Sequence, residues 1–457
     1  MITTSKELIR KYNVPGPRYT SYPTVPFWDE AGMSRAQWRH DVIKSFLATN
    51  EKEGLSLYIH LPFCESLCTF CGCHKRITKR HDVEVPYIDT LLAEWKLYKD
   101  LLRHKPRIHE LHLGGGTPTF FSPENLRKLI NGILDGSELT QDYEFGFEGH
   151  PNNTTTEHLQ VLYDLGFRRC SFGVQDYDAE VQRVIHRIQP LENVKRVTEE
   201  ARKMGYTSIS HDLVFGLPKQ TLQGVLENIR ITGELRPDRI AFYSYAHVPW
   251  IKGLGQRGYD EKDLPADEVK RELYEQGKMM LMEMGYEEIG MDHFALKTDS
   301  LYRAMQVGTL HRNFMGYTSG KTQLMIGLGM SSISDSWYSF AQNEKSVEDY
   351  EARVHRGELP IFRGHSLSEE DLLVRRHILN LMCRFHTSWS GEENLPEVFH
   401  QLPHSLKTMI NDGLVVLEKE SLTVTPQGIP FVRNVCMALD ARMIAGDTSK
   451  RMFSKTV

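Results

Sequence analysis

The chain has 457 residues, a formal net charge of −5, 40% hydrophobic and 25% charged residues. These are the proportions of a globular protein in water, and the length predicts a large catalytic domain with at least one smaller module. The acidic balance argues against nonspecific nucleic-acid binding, and no run approaches the ~18 uninterrupted apolar residues of a membrane span.

In chain order, Met1 to Tyr12 lacks the apolar core of a secretory signal and predicts one short amphipathic helix, so the thiols are expected to meet a reducing cytoplasm. Residues 1–55 read as an arm. Its Gly16-Pro17-Arg18-Tyr19-Thr20-Ser21-Tyr22-Pro23-Thr24 stretch holds too much proline and glycine for a helix or strand, and is either a solvated linker or a lid over a polar ligand.

The apolar run Leu57–Leu61 leads into Cys64, Cys68 and Cys71, with Cys73 two residues further on. Three thiolates in one loop can wrap a single compact centre, which favours an iron–sulfur cluster over zinc. For zinc, a fourth ligand taken from Cys73 or His74 lies too close to Cys71 for an unstrained tetrahedron. A redox dithiol and plain packing cysteines are the remaining readings. Three cysteines for four irons leave one iron open to a ligand.

From residue 56 to about 245, apolar runs alternate with amphipathic helical stretches, the pattern of a parallel α/β domain. The expected strands are 56–62, 108–114, 142–149, 168–174, 208–215 and 239–245. Between them lie helices such as Tyr87–Leu102, Ser122–Leu134, Thr156–Leu165, Glu192–Met204 and Leu222–Leu235. Parallel barrels carry their chemistry at the carboxyl ends of the strands, where the cysteine loop, Gly114-Gly115-Gly116-Thr117, Glu148, Gln175 and Asp212 all fall. Glycines there let backbone approach a ligand closely.

Beyond Tyr245 come Ala246-His247-Val248-Pro249-Trp250, a glycine-rich loop over 253–258, a helix over about 266–284 and a strand-like 286–294. The patches 310–317 and 326–334 either line a site for a large flat anion or cap the open side of the barrel. From about 367 the chain predicts a helix over 368–385, another around Pro403–Asn411, a hairpin of 414–417 with 422–425 and a last helix through Phe431–Cys436, the order of a winged-helix module. Its presumed recognition segment has little basic density, so packing or a lid is expected rather than DNA binding. The expected divisions are therefore 1–55, 56–366 and 367–457. Cys170, Cys383 and Cys436 read as packed.

The cysteine loop followed by the glycine run resembles the radical S-adenosylmethionine enzymes. That resemblance implies a partial (β/α)6 parallel barrel, a [4Fe–4S] cluster on Cys64, Cys68 and Cys71, and cleavage of S-adenosylmethionine to a 5′-deoxyadenosyl radical. Finer matches narrow it: Gly16–Thr24, Cys71-Gly72-Cys73, Gly173-Val174-Gln175-Asp176, Gly216-Leu217-Pro218, Tyr245-Ala246-His247, Gly290–Ala295 and His311–Phe314 together resemble the oxygen-independent coproporphyrinogen III dehydrogenases over nearly the whole chain. This implies decarboxylation of two propionates of coproporphyrinogen III to vinyl groups, with an electron donor and acceptor, by a cytoplasmic monomer.

By the same resemblance, Tyr58, Gly115, Glu148 and Ile333 hold the cluster-bound S-adenosylmethionine. Phe70, Gly116, Thr117, Gln175, Arg187, Asp212 and Ala246 hold a second one. Tyr58, Cys73 and Glu148 are the expected catalytic side chains, and Arg18, Arg312, Lys75 and Arg76 are candidates to neutralise the propionates. The sequence departs from the family pattern at Gly149-His150-Pro151 and at Met315. A haem-binding chaperone with the same cysteine loop and a winged-helix regulator using a cluster as sensor are the alternatives; Cys73 and the Arg18–Thr24 arm speak against the first, and a six-unit barrel is superfluous for the second.

Overall fold

A computed structural model describes residues 6–28, 33–249, 256, 258–445 and 453–456. One mixed sheet contains twelve strands: β1 (Leu55–Leu61), β2 (Arg107–Gly115), β3 (Glu138–Gly149), β4 (Phe167–Gln175), β5 (Ser208–Phe215), β6 (Arg239–Ser244), β7 (Tyr286–Gly290), β8 (His293–Leu296), β9 (Met325–Leu328), β10 (Ile333–Asp335), β11 (Ser339–Asn343) and β12 (Ile361–Ser366). Their spatial order is β12-β11-β10-β9-β1-β2-β3-β4-β5-β6-β8-β7. Strands β1 to β6 are neighbours in chain order and parallel throughout, the (β/α)6 partial barrel expected from the sequence. β1 is buried along almost its whole length, as befits a strand covered on both faces.

Helices cover the outer face, and their ends follow the expected chemistry. The Ser122 side chain accepts from the Asn125 amide, Thr155 and His158 form a capping box, and Gly205 closes its helix at φ 101°. The largest apolar core lies between these helices and β1 to β4.

Three expectations change and one open alternative is decided. The arm contains a second helix, Arg35–Thr49, whose Trp38, Val42 and Phe46 sit four residues apart on one face and join the barrel core. The strand-like 286–294 is two strands, β7 and β8, that turn back at Met291 and extend the sheet beyond β6. The patch 326–334 also joins the sheet: β9 runs parallel to β1, and β10 to β12 continue antiparallel, closing the open flank. In the C-terminal unit, the helix expected to open at Pro403 begins at Glu397 and contains that proline near its end, and a separate helix spans Lys407–Asn411. The loop 250–255 lies outside the described residues.

The rest of the C-terminal unit is as read. Glu369–Arg384 is helical, Val415–Leu417 and Ser421–Val424 form the hairpin, and His386–Ser388 adds a third strand, giving a winged-helix arrangement. Its core takes in Leu8, Tyr12, Tyr19 and Tyr22 of the arm. The Gly16–Thr24 stretch is therefore no solvated linker, and Arg433 fixes it by bonding the Gly16 and Pro17 carbonyls. Cys170, Cys383 and Cys436 are buried. Among the described residues no helix is long and apolar enough to cross a membrane.

Candidate active site

The carboxyl ends of the parallel strands open into a cleft of about 560 Å³. The cysteine loop forms one wall. Its entry, Phe63–Cys64, pairs in parallel with Arg76–Ile77, and the Thr69 amide bonds the Ile185 carbonyl at 3.0 Å, so the loop is held at both ends. Cys64, Cys68, Cys71 and Cys73 all face this space. Cys64 lies 3.3 Å from the Thr117 hydroxyl, and Arg187 Nη1 approaches Cys68 Sγ at 3.7 Å. Burial pushes the Cys64 thiol up to about 11. The Cys71 thiol is instead pulled down, first by a hydrogen bond from Cys73 and then, against burial, by Lys75.

The glycine run passes under this loop, which explains its composition. Gly115 has φ +113°, and a Cβ there would fall 2.8 Å from the His60 ring. A Cβ on Gly116 would fall 2.5 Å from the Pro62 carbonyl oxygen, because the Gly116 amide bonds the Leu61 carbonyl at 2.8 Å. Only bare backbone fits between the first two strand ends.

Polar side chains from the next strands complete the cleft. Glu148, at the end of β3, lies 3.3 Å from His112 Nε2, with its side chain 47% exposed. Asp212 accepts from the Ser171 hydroxyl at 2.9 Å, and burial followed by repulsion from Glu148 raises its carboxyl to about 7. Gln175 turns at φ +67°, and Arg187 Nη2 donates to the Gly173 carbonyl at 2.5 Å while its buried Nε finds no partner. Phe70, Gly116 and Thr117 share the same wall.

Tyr58 stands behind Glu148, stacked on His112, with its hydroxyl 3.3 Å from His60 Nδ1. Two further expected residues, like Tyr58, do not line the cleft. Ala246 lies beyond the end of β6, where Gln256 bridges its carbonyl to that of Phe70. Ile333 lies on β10, its carbonyl against Gly327, the strand neighbour of Tyr58. Of the cation candidates, Lys75 lines the cleft, Arg76 points out to Glu348, and Arg18 pairs with Asp292 at 3.0 Å. Arg312 is buried over the Tyr317 ring, its Nε and Nη1 unpartnered.

Both departures from the family pattern fall on the site. His150 is in the cleft wall, its imidazole pushed down to about 2 by burial and Arg187, and Met315 lines a second cavity of about 100 Å³ inside the barrel. Sequence reasoning missed Tyr243, at the end of β6, although the strand-end rule applied to the sixth strand points to it. It also missed His60, whose role as the floor beneath Gly115 has no sequence signal.

Residues 58–231 match the Radical SAM superfamily. The oxygen-independent coproporphyrinogen III oxidase of Helicobacter pylori J99 is 40% identical, with 100% of each chain covered. This chain belongs to that family. Another member, from Pseudomonas aeruginosa, is 36% identical over 99% of this chain and 98% of its own. A solved structure of coproporphyrinogen III oxidase from Escherichia coli, a radical SAM enzyme, superposes with a TM-score of 0.89 at 33% identity, covering 96% of this chain and 99% of that one.

The radical SAM family uses a [4Fe–4S] cluster and S-adenosylmethionine, and the residues present fit both. Three thiols on one loop face one cleft with Lys75 and Arg187 beside them, the bare glycine backbone leaves room alongside, and Arg187 keeps a free donor.

Proposed function

We propose that this protein decarboxylates two propionate side chains of coproporphyrinogen III to vinyl groups, giving protoporphyrinogen IX. The observation that carries the reading is the gathering of Cys64, Cys68, Cys71, Gly115, Glu148 and Asp212 in one cleft of a chain that matches the oxygen-independent oxidases from end to end.

Cys64, Cys68 and Cys71 hold the cluster, and Tyr58, Gly115 and Glu148 hold the S-adenosylmethionine bound to it, with Ile333 supporting from β10. When bound, these groups supply a carbon-centred radical able to take a hydrogen atom from an unactivated C–H bond. The chain itself positions, compensates charge and excludes water. In this reading Phe70, Gly116, Thr117, Gln175, Arg187 and Asp212 hold a second S-adenosylmethionine, with Ala246, tied to Phe70 through Gln256, closing that side. A carboxyl near 7 at Asp212 is suited to ribose hydroxyls as acceptor or donor. Lys75 compensates a propionate at the mouth. Cys73, on the cleft face and hydrogen-bonded to Cys71, acts on the substrate side rather than as a fourth ligand.

Three functional divisions accompany this reading: an arm over 1–55, the catalytic unit over 56–366 and a C-terminal unit over 367–457 whose core takes in the first part of the arm. The protein works as a cytoplasmic monomer with separate electron donor and acceptor. Anaerobic reconstitution with iron, sulfide, S-adenosylmethionine and a reductant tests it: protoporphyrinogen IX is expected from coproporphyrinogen III. Tight binding of haem with no decarboxylation would favour a chaperone instead.

A further inference from the structure

Three side chains line both the cleft and the inner cavity of the barrel: Glu148, Asp212 and Tyr243. The first two were legible from the sequence. The third is fixed by a series of hydrogen bonds running away from the site. The Tyr243 hydroxyl lies 3.3 Å from His293 Nε2, and His293 Nδ1 lies 2.7 Å from Asp292 Oδ1. Asp292 Oδ2 accepts from Arg18 at 3.0 Å, and Arg18 is itself held by the Ser244 carbonyl at 3.1 Å.

This order sets the direction of each bond. An ionised carboxylate only accepts, so His293 Nδ1 carries the hydrogen directed at Asp292. Arg18 already compensates that carboxylate, and Arg312 adds a second positive charge from its place over Tyr317, which packs edge-on against the His293 ring. In the tautomer that places the hydrogen on Nδ1, Nε2 is the acceptor that faces the Tyr243 hydroxyl. The Tyr243 phenol, kept protonated by burial and by the charges of Asp212 and Asp292, spends its hydrogen on His293. It therefore presents oxygen lone pairs to the cleft, beside two carboxyl groups. Such a wall recognises a ligand that offers N–H or O–H donors.

We propose that Tyr243 is a further substrate-binding residue, accepting a hydrogen bond from a ring N–H of the reduced tetrapyrrole, and that His293 is the positioning residue that aims its lone pairs. The inference rests on the reading of the cleft as the place where coproporphyrinogen III is held. A ribose hydroxyl of the nucleotide offers the same donor chemistry, and the experiment separates the two sources.

Tyr243→Phe and His293→Gln are compared with the wild type after anaerobic reconstitution. Equilibrium binding is measured for S-adenosylmethionine, for coproporphyrinogen III and for its oxidised form, coproporphyrin III, in which two of the four ring nitrogens carry no hydrogen. Tyr243→Phe is expected to weaken coproporphyrinogen III binding about tenfold. Porphyrin and S-adenosylmethionine binding stay within about twofold of wild type, so the preference for the reduced ring shrinks. KM rises more than kcat falls, and His293→Gln moves in the same direction by less.

An unchanged preference in Tyr243→Phe, with wild type active, overturns this inference and leaves the proposed function standing. Loss of S-adenosylmethionine binding in place of substrate binding overturns it in favour of the nucleotide. Variants that both fail to fold assign the pair to the architecture and overturn it as well. A wild type that neither binds nor decarboxylates coproporphyrinogen III fails the functional reading itself.

Discussion

The two flanks of β1 are both rich in buried polar groups, and they treat them in opposite ways. On the β9 to β11 side, Glu94 is fully buried yet accepts from the Gly329 amide at 2.8 Å, the Tyr350 hydroxyl at 2.7 Å and Asn343 Nδ2 at 2.7 Å. Ser332 and Ser334 add bonds to the Gly329 carbonyl and the Gly327 amide. Among the described residues of β9 to β12 no buried side-chain polar atom lacks a partner. On the cleft side, His112 Nδ1 and Arg187 Nε are buried without one, and Glu148 is half exposed. The saturated flank is architecture, because each buried polar group must be compensated within the chain; the unsaturated flank keeps capacity for what it binds.

The largest test of this contrast is on the thiols. Replacing any of Cys64, Cys68 or Cys71 with serine is expected to abolish bound iron and sulfide and reduce turnover to background, with the melting temperature of the apoprotein nearly unchanged. Cys73→Ser is expected to keep the iron and S-adenosylmethionine binding while turnover is lost. Stoichiometric iron in Cys64→Ser, or wild-type turnover in Cys73→Ser, would remove those assignments.

The next pair crosses the two flanks. Glu94→Ala strands three donors and is expected to cost about 3 kcal/mol of stability in denaturant titrations, with activity per folded molecule unaltered. Asp212→Asn is expected to shift stability by less than about 1 kcal/mol and to lower turnover about a hundredfold. If the two variants exchanged phenotypes, the distinction between flanks would fail.

A smaller effect follows from titration. Burial raises the Glu94 carboxyl to about 7 against 4.5 in the unfolded chain. The folded state therefore holds the proton more tightly, so this group's contribution favours folding below about 4.5 and is lost as pH climbs toward about 7, with an upper bound of about 3 kcal/mol. Glu94→Gln should gain stability relative to wild type across that window and keep the gain above it. A pH-independent difference in melting temperature would place the charge elsewhere.

Much of the site was legible because its signals are local. Cys64, Cys68 and Cys71 follow β1, the Gly114–Gly116 run, Glu148 and Gln175 stand at the ends of β2, β3 and β4, and Asp212 lies three residues before the end of β5, so the strand-end rule needs little beyond that order. Helix Arg35–Thr49 was less legible because its buried apolar stripe is only three residues, Trp38, Val42 and Phe46. The pairing of Arg18 with Asp292 crosses from the arm to the turn before β8, a separation no periodicity reports.

By itself, the sequence determined the parallel order of β1 to β6 and the thiols and glycines of the cleft, since alternation of strand and helix, loop spacing and the absence of Cβ atoms are properties of neighbouring residues. The tertiary structure alone decided that β9 closes on β1, that Gly115 rests on His60, and that Tyr243 is aimed through His293, Asp292 and Arg18. Those depend on which distant elements share a surface, and burial against a distant partner fixes the direction of a hydrogen bond in a way that local spacing does not encode.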